Sequence, residues 1–136
     1  MDYVLDACAL IAYFNEEDGS DKIASLFEEA EEGRVTVMIH GINLFEVHYD
    51  LLRSDGDNVA TAALATLNDS SIKIIDTVSE AIRAEAAHFK NTYRISVADA
   101  FALATAKLNN AILVTSDHHE FDPIEAASEL SFLWIR

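Results

Sequence analysis

Four acidic side chains stand in segments where acids are out of place. Asp6 is the only charged residue between Tyr3 and Phe14, and Glu46 lies within the apolar run Gly41-Ile-Asn-Leu-Phe-Glu-Val-His-Tyr-Asp-Leu-Leu52. Asp99 lies in Ser96-Val-Ala-Asp-Ala-Phe-Ala-Leu-Ala-Thr-Ala106, and Asp117 follows Ala111-Ile-Leu-Val-Thr-Ser116. An ionised carboxylate buried without a partner costs many kcal/mol in desolvation. No Lys or Arg occurs in any of these segments, and the helical i±4 neighbours of Glu46 are Ile42 and Asp50, so no local salt bridge is available. A hard divalent cation can serve several converging acids, because Mg²⁺ and Mn²⁺ take carboxylate oxygens and keep several waters. Such a site favours phosphoryl chemistry: the cation polarises a phosphoryl group, lowers the pKa of water and stabilises the leaving oxygen.

Each acid also has a plainer reading. Asp6 has the place of a helix N-cap, accepting the free amides of a first turn. Glu46 fits a narrow polar stripe with Asn43 and Asp50. Ser96 to Asp99 has capping-box spacing, and Asp117 suits an Asx-turn after a strand.

The elements that must position these residues follow from the apolar pattern. Tyr3–Leu5 reads as a buried strand, Ala7–Phe14 as a short buried helix and Asn15–Ser20 as a loop. From Asp21, Ile23, Leu26, Phe27 and Ala30 keep helical spacing, with Gly33 at the C′ position. Val35–Ile39 is a second strand, Gly41–Arg53 a helix too apolar for the surface, Ser54–Asp57 a turn and Asn58–Leu67 another helix. Ile72–Ile75 is a strand, and Ser79 and Ser96 cap helices reaching about Asn91 and Leu108. Ala111–Thr115 and Phe132–Ile135 are the last strands. Strands alternating with helices, and running apolar without alternation, predict a parallel sheet covered on both faces. The expected fold class is α/β, a three-layer α/β/α sandwich with a central, mainly parallel sheet, over one domain of residues 1–136. Asp6 and Asp117 then share the carboxyl edge of the sheet, where open α/β sheets bind ligands.

Composition narrows the partners. The 136 residues carry 24 acids against nine Lys and Arg, a formal charge of −15, with 51% hydrophobic residues. This is globular composition of the wrong sign for a protein that tracks phosphates by basic surface alone. Nucleic acid would be met through bound cations, a basic partner or a local basic patch. One cysteine, Cys8, forms no intrachain disulfide, which suits a reducing cytosol. No basic leader and no apolar run of about 20 residues appears, so neither a signal peptide nor a membrane span is expected.

Taken together the segments Val4-Leu-Asp6-Ala-Cys-Ala-Leu-Ile-Ala, Asn43-Leu-Phe-Glu46-Val, Val97-Ala-Asp99-Ala-Phe-Ala-Leu-Ala-Thr-Ala106 and Leu113-Val-Thr-Ser-Asp117-His-His-Glu-Phe121 resemble the PIN-domain ribonucleases. Within that family they are similar to the VapC-type toxins of prokaryotic toxin–antitoxin pairs. The resemblance implies a PIN-like fold and an acidic quartet of Asp6, Glu46, Asp99 and Asp117, which holds Mg²⁺ or Mn²⁺ and hydrolyses RNA. It further implies a homodimer, a small cognate antitoxin and a cytoplasmic setting. Asn43 and Ser116 resemble polar residues that support the quartet. Two positions depart from the family pattern. Ala7-Cys8 stands where many relatives have a hydroxyl residue after the first acid. His118-His119 intervenes before Glu120, which is expected to supply a carboxylate from a shifted position.

Other readings carry less. Cys8, His48, His118 and His119 lack zinc-ligand spacing. A dehalogenase-like phosphotransferase requires an Asp where Cys8 stands. Cys8 itself is expected to be a small core residue rather than a nucleophile. The rival of another class is a PIN-fold module that binds RNA or protein without cutting. Among the basic residues, Arg83, Lys90 and Arg94 fall near the approach to Asp99 and are expected to hold RNA phosphates, with Tyr93 as a base-stacking residue. Specificity is expected from the loops Asn15–Ser20 and Ser54–Asp57.

Overall fold

The computed structural model describes residues 1–136. The chain runs β1 (Asp2–Leu5), α1 (Ala7–Phe14), α2 (Ser20–Glu31), β2 (Thr36–His40), α3 (Gly41–Asp55), α4 (Asp57–Asn68) and β3 (Lys73–Ile75). It continues through α5 (Glu80–Thr92), α6 (Val97–Leu108), β4 (Ile112–Thr115), α7 (His118–Ala126) and β5 (Phe132–Trp134). The five strands form one sheet in the order β3-β2-β1-β4-β5, and every pairing is parallel.

Successive residues of a strand point to opposite faces, and both faces are apolar here. Leu5, Ile39 and Val114 join Leu10, Ile23, Val47, Leu51 and Leu67 in one core under α1–α4. Their strand neighbours Val4, Met38 and Leu113 join Phe89, Leu103, Phe121 and Ile124 in a second core under α5–α7. The expected three layers are therefore present, with a sheet that is wholly rather than mainly parallel. No helix is long and apolar enough to cross a membrane.

The strand order places the site. From β1 the chain steps outward to β2 and β3, then crosses back to β4 on the other side of β1. The crevice where those connections diverge lies at the carboxyl ends of β1 and β4, the position at which doubly wound sheets bind ligands. Leu5 lies opposite Val114 in this pair, so the residues after both strands emerge side by side.

Three expectations need correction. A seventh helix, α7, follows Asp117, which accepts the Glu120 N–H as its N-cap; Phe121 and Ile124 bury its inner face despite Pro123 within it. The turn between α3 and α4 shrinks from four residues to Gly56, whose φ of 89° lets the chain reverse in one step. Nor is α3 an interior helix: Asn43, Val47 and Leu51 are buried, whereas Phe45, Tyr49 and Leu52 face outward.

Candidate functional site

Asp6 sits one residue beyond β1 and is 2% exposed. Its Oδ1 accepts the Ala9 N–H at 2.8 Å, capping α1, and its Oδ2 accepts the Thr115 hydroxyl. Thr115 Oγ1 in turn accepts the Asp117 N–H at 3.0 Å, so one buried hydroxyl ties the first and last acids together across β1 and β4. The hydroxyl absent after Asp6, where Ala7-Cys8 stands, is thus provided from the neighbouring strand. The sequence points to Ser116, for which no side-chain hydrogen bond is formed, whereas the fully buried Thr115 makes both contacts. The signal for Thr115 was its spacing: in a parallel pair, the residue two before Asp117 faces the end of β1.

Asp6, Glu46, Asp99, Asp117 and Glu120 all line one cleft of about 500 Å³, together with Ala7, Cys8, Ile11, Ser96 and the α3 residues Phe45, Tyr49, Asp50 and Arg53. Glu46 comes from the second turn of α3 and Asp99 from the first turn of α6. Asn43, fully buried, joins those two helices: its Nδ2 donates to Ala98 O at 3.0 Å, while its Oδ1 has no partner. Ser96 Oγ accepts the Asp99 N–H at 3.0 Å and caps α6; the reciprocal bond of a capping box is not formed. The plain and the chemical readings therefore coexist, since Asp6 and Asp117 are helix caps that also line the cleft.

The electrostatics are those of crowded acids. Burial pushes Asp6 up to about 7, against its bonds from Thr115 and Ala9, and the charges of Asp99 and Asp117 push the same way. Burial likewise raises Asp99 to about 6; the Ser96 hydroxyl opposes this, while Asp117, Glu46 and Glu120 add to it. Glu46 is raised by burial. No Lys or Arg forms an ion pair with any member of the quartet.

The donor set, carboxylate oxygens without His, suits a hard cation such as Mg²⁺ or Mn²⁺. In the geometry shown, no three His, Cys, Asp or Glu side chains stand close enough together to hold an ion. Both Asp6 oxygens and one of Asp117 are already engaged in hydrogen bonds, and Glu46, Asp99 and Asp117 are half-buried. Cys8 departs from expectation: it is exposed on the cleft wall rather than buried in a core. Desolvation, then the charges of Asp6, Asp117, Asp99 and Glu46, pushes its thiol up to about 12.

The expected RNA contacts lie elsewhere. Arg83, Lys90 and Arg94 are exposed and none lines the cleft; Lys90 Nζ donates to Ile95 O at 2.9 Å. Tyr93 is half-buried with its hydroxyl on Glu129. Neither Asn15 nor Ser20 reaches the cleft, and of the second loop none of Ser54–Asp57 does so either. Arg53, which sequence reasoning missed, is the one Lys or Arg at the cleft.

Residues 3–126 match the family model described as the PIN domain, and the chain belongs to that family. Its fold is similar to that of several solved toxin–antitoxin proteins. One is VapBC2 from Rickettsia felis bound to a DNA fragment from their promoter, at 22% identity and TM-score 0.77, covering 98% of each chain. Another is VapBC-1 from nontypeable Haemophilus influenzae, at 19% identity and TM-score 0.73, covering 99% of this chain and 98% of that one. A third is Mycobacterium tuberculosis VapC20, a Sarcin-Ricin loop cleaving toxin, at 18% identity and TM-score 0.68, covering 93% and 95%. At these identities the likeness is one of fold. No curated protein matches in sequence.

Proposed function

We propose that this chain is a divalent-metal-dependent endoribonuclease and the toxin of a type II toxin–antitoxin pair. The observation that carries the reading is a single cleft at the β1/β4 switch point, lined by carboxylates from four separate segments with no Lys or Arg paired to any of the quartet. Family membership adds support, as does the likeness to a toxin that cleaves the Sarcin-Ricin loop. Asp6, Asp99 and Asp117 would hold Mg²⁺ or Mn²⁺, with Glu46 completing the set directly or through water. When bound, the cation supplies charge for the phosphodiester oxygens and acidifies water. Thr115 orients Asp6, and Asn43 fixes the start of α6 beside Asp99. Burial and the neighbouring acids raise Asp99 to about 6, so its carboxyl would give up a proton on binding a cation and be held ionised there. Glu120 adds a further carboxylate at the rim. The toxin–antitoxin complexes among the structural neighbours support a cognate antitoxin partner. We propose equally that residues 1–136 act as one domain, that the protein forms a homodimer and that it works in the cytoplasm.

The test is Mn²⁺-dependent cleavage of a mixed panel of structured and single-stranded RNAs by wild type, Asp6→Asn and Asp99→Asn. Cutting by wild type alone is the expected result. The rival reading, a module that binds without cutting, draws on the absence of three donors at ion-holding distance. An unchanged melting temperature in millimolar Mn²⁺, with no cleavage, would put that rival first.

A further inference from the structure

We propose that Arg53 and the ring of Tyr49 form a seat for one unpaired nucleotide beside the acid cleft, with its phosphate on the guanidinium and its base on the ring. The inference rests on the nuclease reading and names the residues that would position RNA for it. Six carboxylates line this cleft, from Asp6, Glu46, Asp50, Asp99, Asp117 and Glu120, against the single cation Arg53. A polyanion entering that field needs a positive anchor, and the three basic residues singled out from the sequence, Arg83, Lys90 and Arg94, do not line the cleft. Arg53 is held ready: Nη2 donates to Asp50 Oδ1 at 2.7 Å, and the guanidinium carbon lies 5.7 Å from the Tyr49 ring centroid. No other hydrogen bond engages its fork, so the remaining N–H groups are free to take phosphate oxygens.

The aromatic half of the seat is equally exposed. Phe45, Tyr49 and Arg53 recur every four residues along α3 and form a line leading away from Glu46. Tyr49 and Phe45 are 57% and 66% exposed as residues, and both line the cleft. Open rings beside an anion anchor stack unpaired bases of any sequence, whereas a duplex hides its base faces. The seat therefore selects looped or single-stranded RNA.

The test is photo-cross-linking of a short thiouridine-bearing oligouridylate to wild type in Mg²⁺, with the attachment mapped by mass spectrometry. Tyr49→Leu, Arg53→Gln and Arg53→Lys are compared; both positions are exposed, so folding should be preserved. The expected cross-link falls within residues 45–53 and drops about fivefold or more in Tyr49→Leu and Arg53→Gln. Arg53→Lys recovers part of it, and the paired form of the RNA gives none. A cross-link around Arg83 and Lys90, equal in all variants, overturns the seat and leaves the nuclease reading standing. No cross-link at any residue overturns the seat, while the cleavage panel decides the nuclease reading separately, and Tyr49-dependent capture of a lysine-rich peptide instead would give this face to a basic protein.

Discussion

A carboxylate as enclosed as Asp6 weakens the fold whenever it is ionised. Its folded pKa of about 7 lies above the ordinary 3.8, so its neutral form contributes stability that is full below 3.8 and lost as pH rises through 7. At about 1.4 kcal/mol per pKa unit the loss amounts to a few kcal/mol. In chelator, the melting temperature should fall across that interval, and Asp99 should steepen the fall in the same direction. Asp6→Asn should melt higher than wild type above pH 7 and lose that advantage at low pH, since its amide oxygen can still cap α1. Millimolar Mn²⁺ should reverse the order by stabilising wild type alone. Thr115 is the second test at this scale. Thr115→Val leaves the Asp117 N–H without its acceptor and Asp6 without its donor, at about 1–3 kcal/mol in urea unfolding, while Thr115→Ser keeps both bonds.

Elements hold these residues in register, and their junctions are the sensitive points. Gly19 has φ of 95°, and a Cβ there would lie 2.4 Å from Ile135 O, so Gly19→Ala forces the α1–α2 loop away from the chain end. Its cost should exceed about 2 kcal/mol in urea unfolding, from strain and clash together. Asn43→Ala severs the α3–α6 tie; amide exchange at the start of α6 should quicken more than at its end. All five strands and the caps Ser79 and Ser96 were legible in the sequence, because short apolar runs and Ser before a periodic segment are local signals. Helix α7 was not. Its apolar face is only Phe121 and Ile124, and Pro123 mimics a break, although Asp117 and Glu120 have cap spacing. Nor could an all-apolar stretch reveal which way it faces. In α1 the residue left exposed on the cleft wall is Cys8, and in α3 the rings sent outward are Phe45 and Tyr49, since hydrophobic content without periodicity carries no direction. The four acids were legible for the opposite reason: a charge inside an apolar run is conspicuous.

At the scale of the whole molecule the formal charge of −15 governs encounters. RNA and protein repel at long range, so kcat/KM for RNA cleavage should rise as monovalent salt increases from about 20 mM to about 150 mM, the reverse of a basic nuclease. A basic partner should behave oppositely, with its association slowing over the same range. The strand order was not written in local pattern either, since parallel pairing joins distant segments. That order has a further consequence, for the growing polypeptide. β1 is the middle strand, yet its partner β4 and the anchoring Thr115 are separated from it by about a hundred residues of chain. During synthesis from the N-terminus Asp6 is made early and its counterparts late. A nascent chain therefore carries half a cleft until residues 112–117 have emerged and paired with β1.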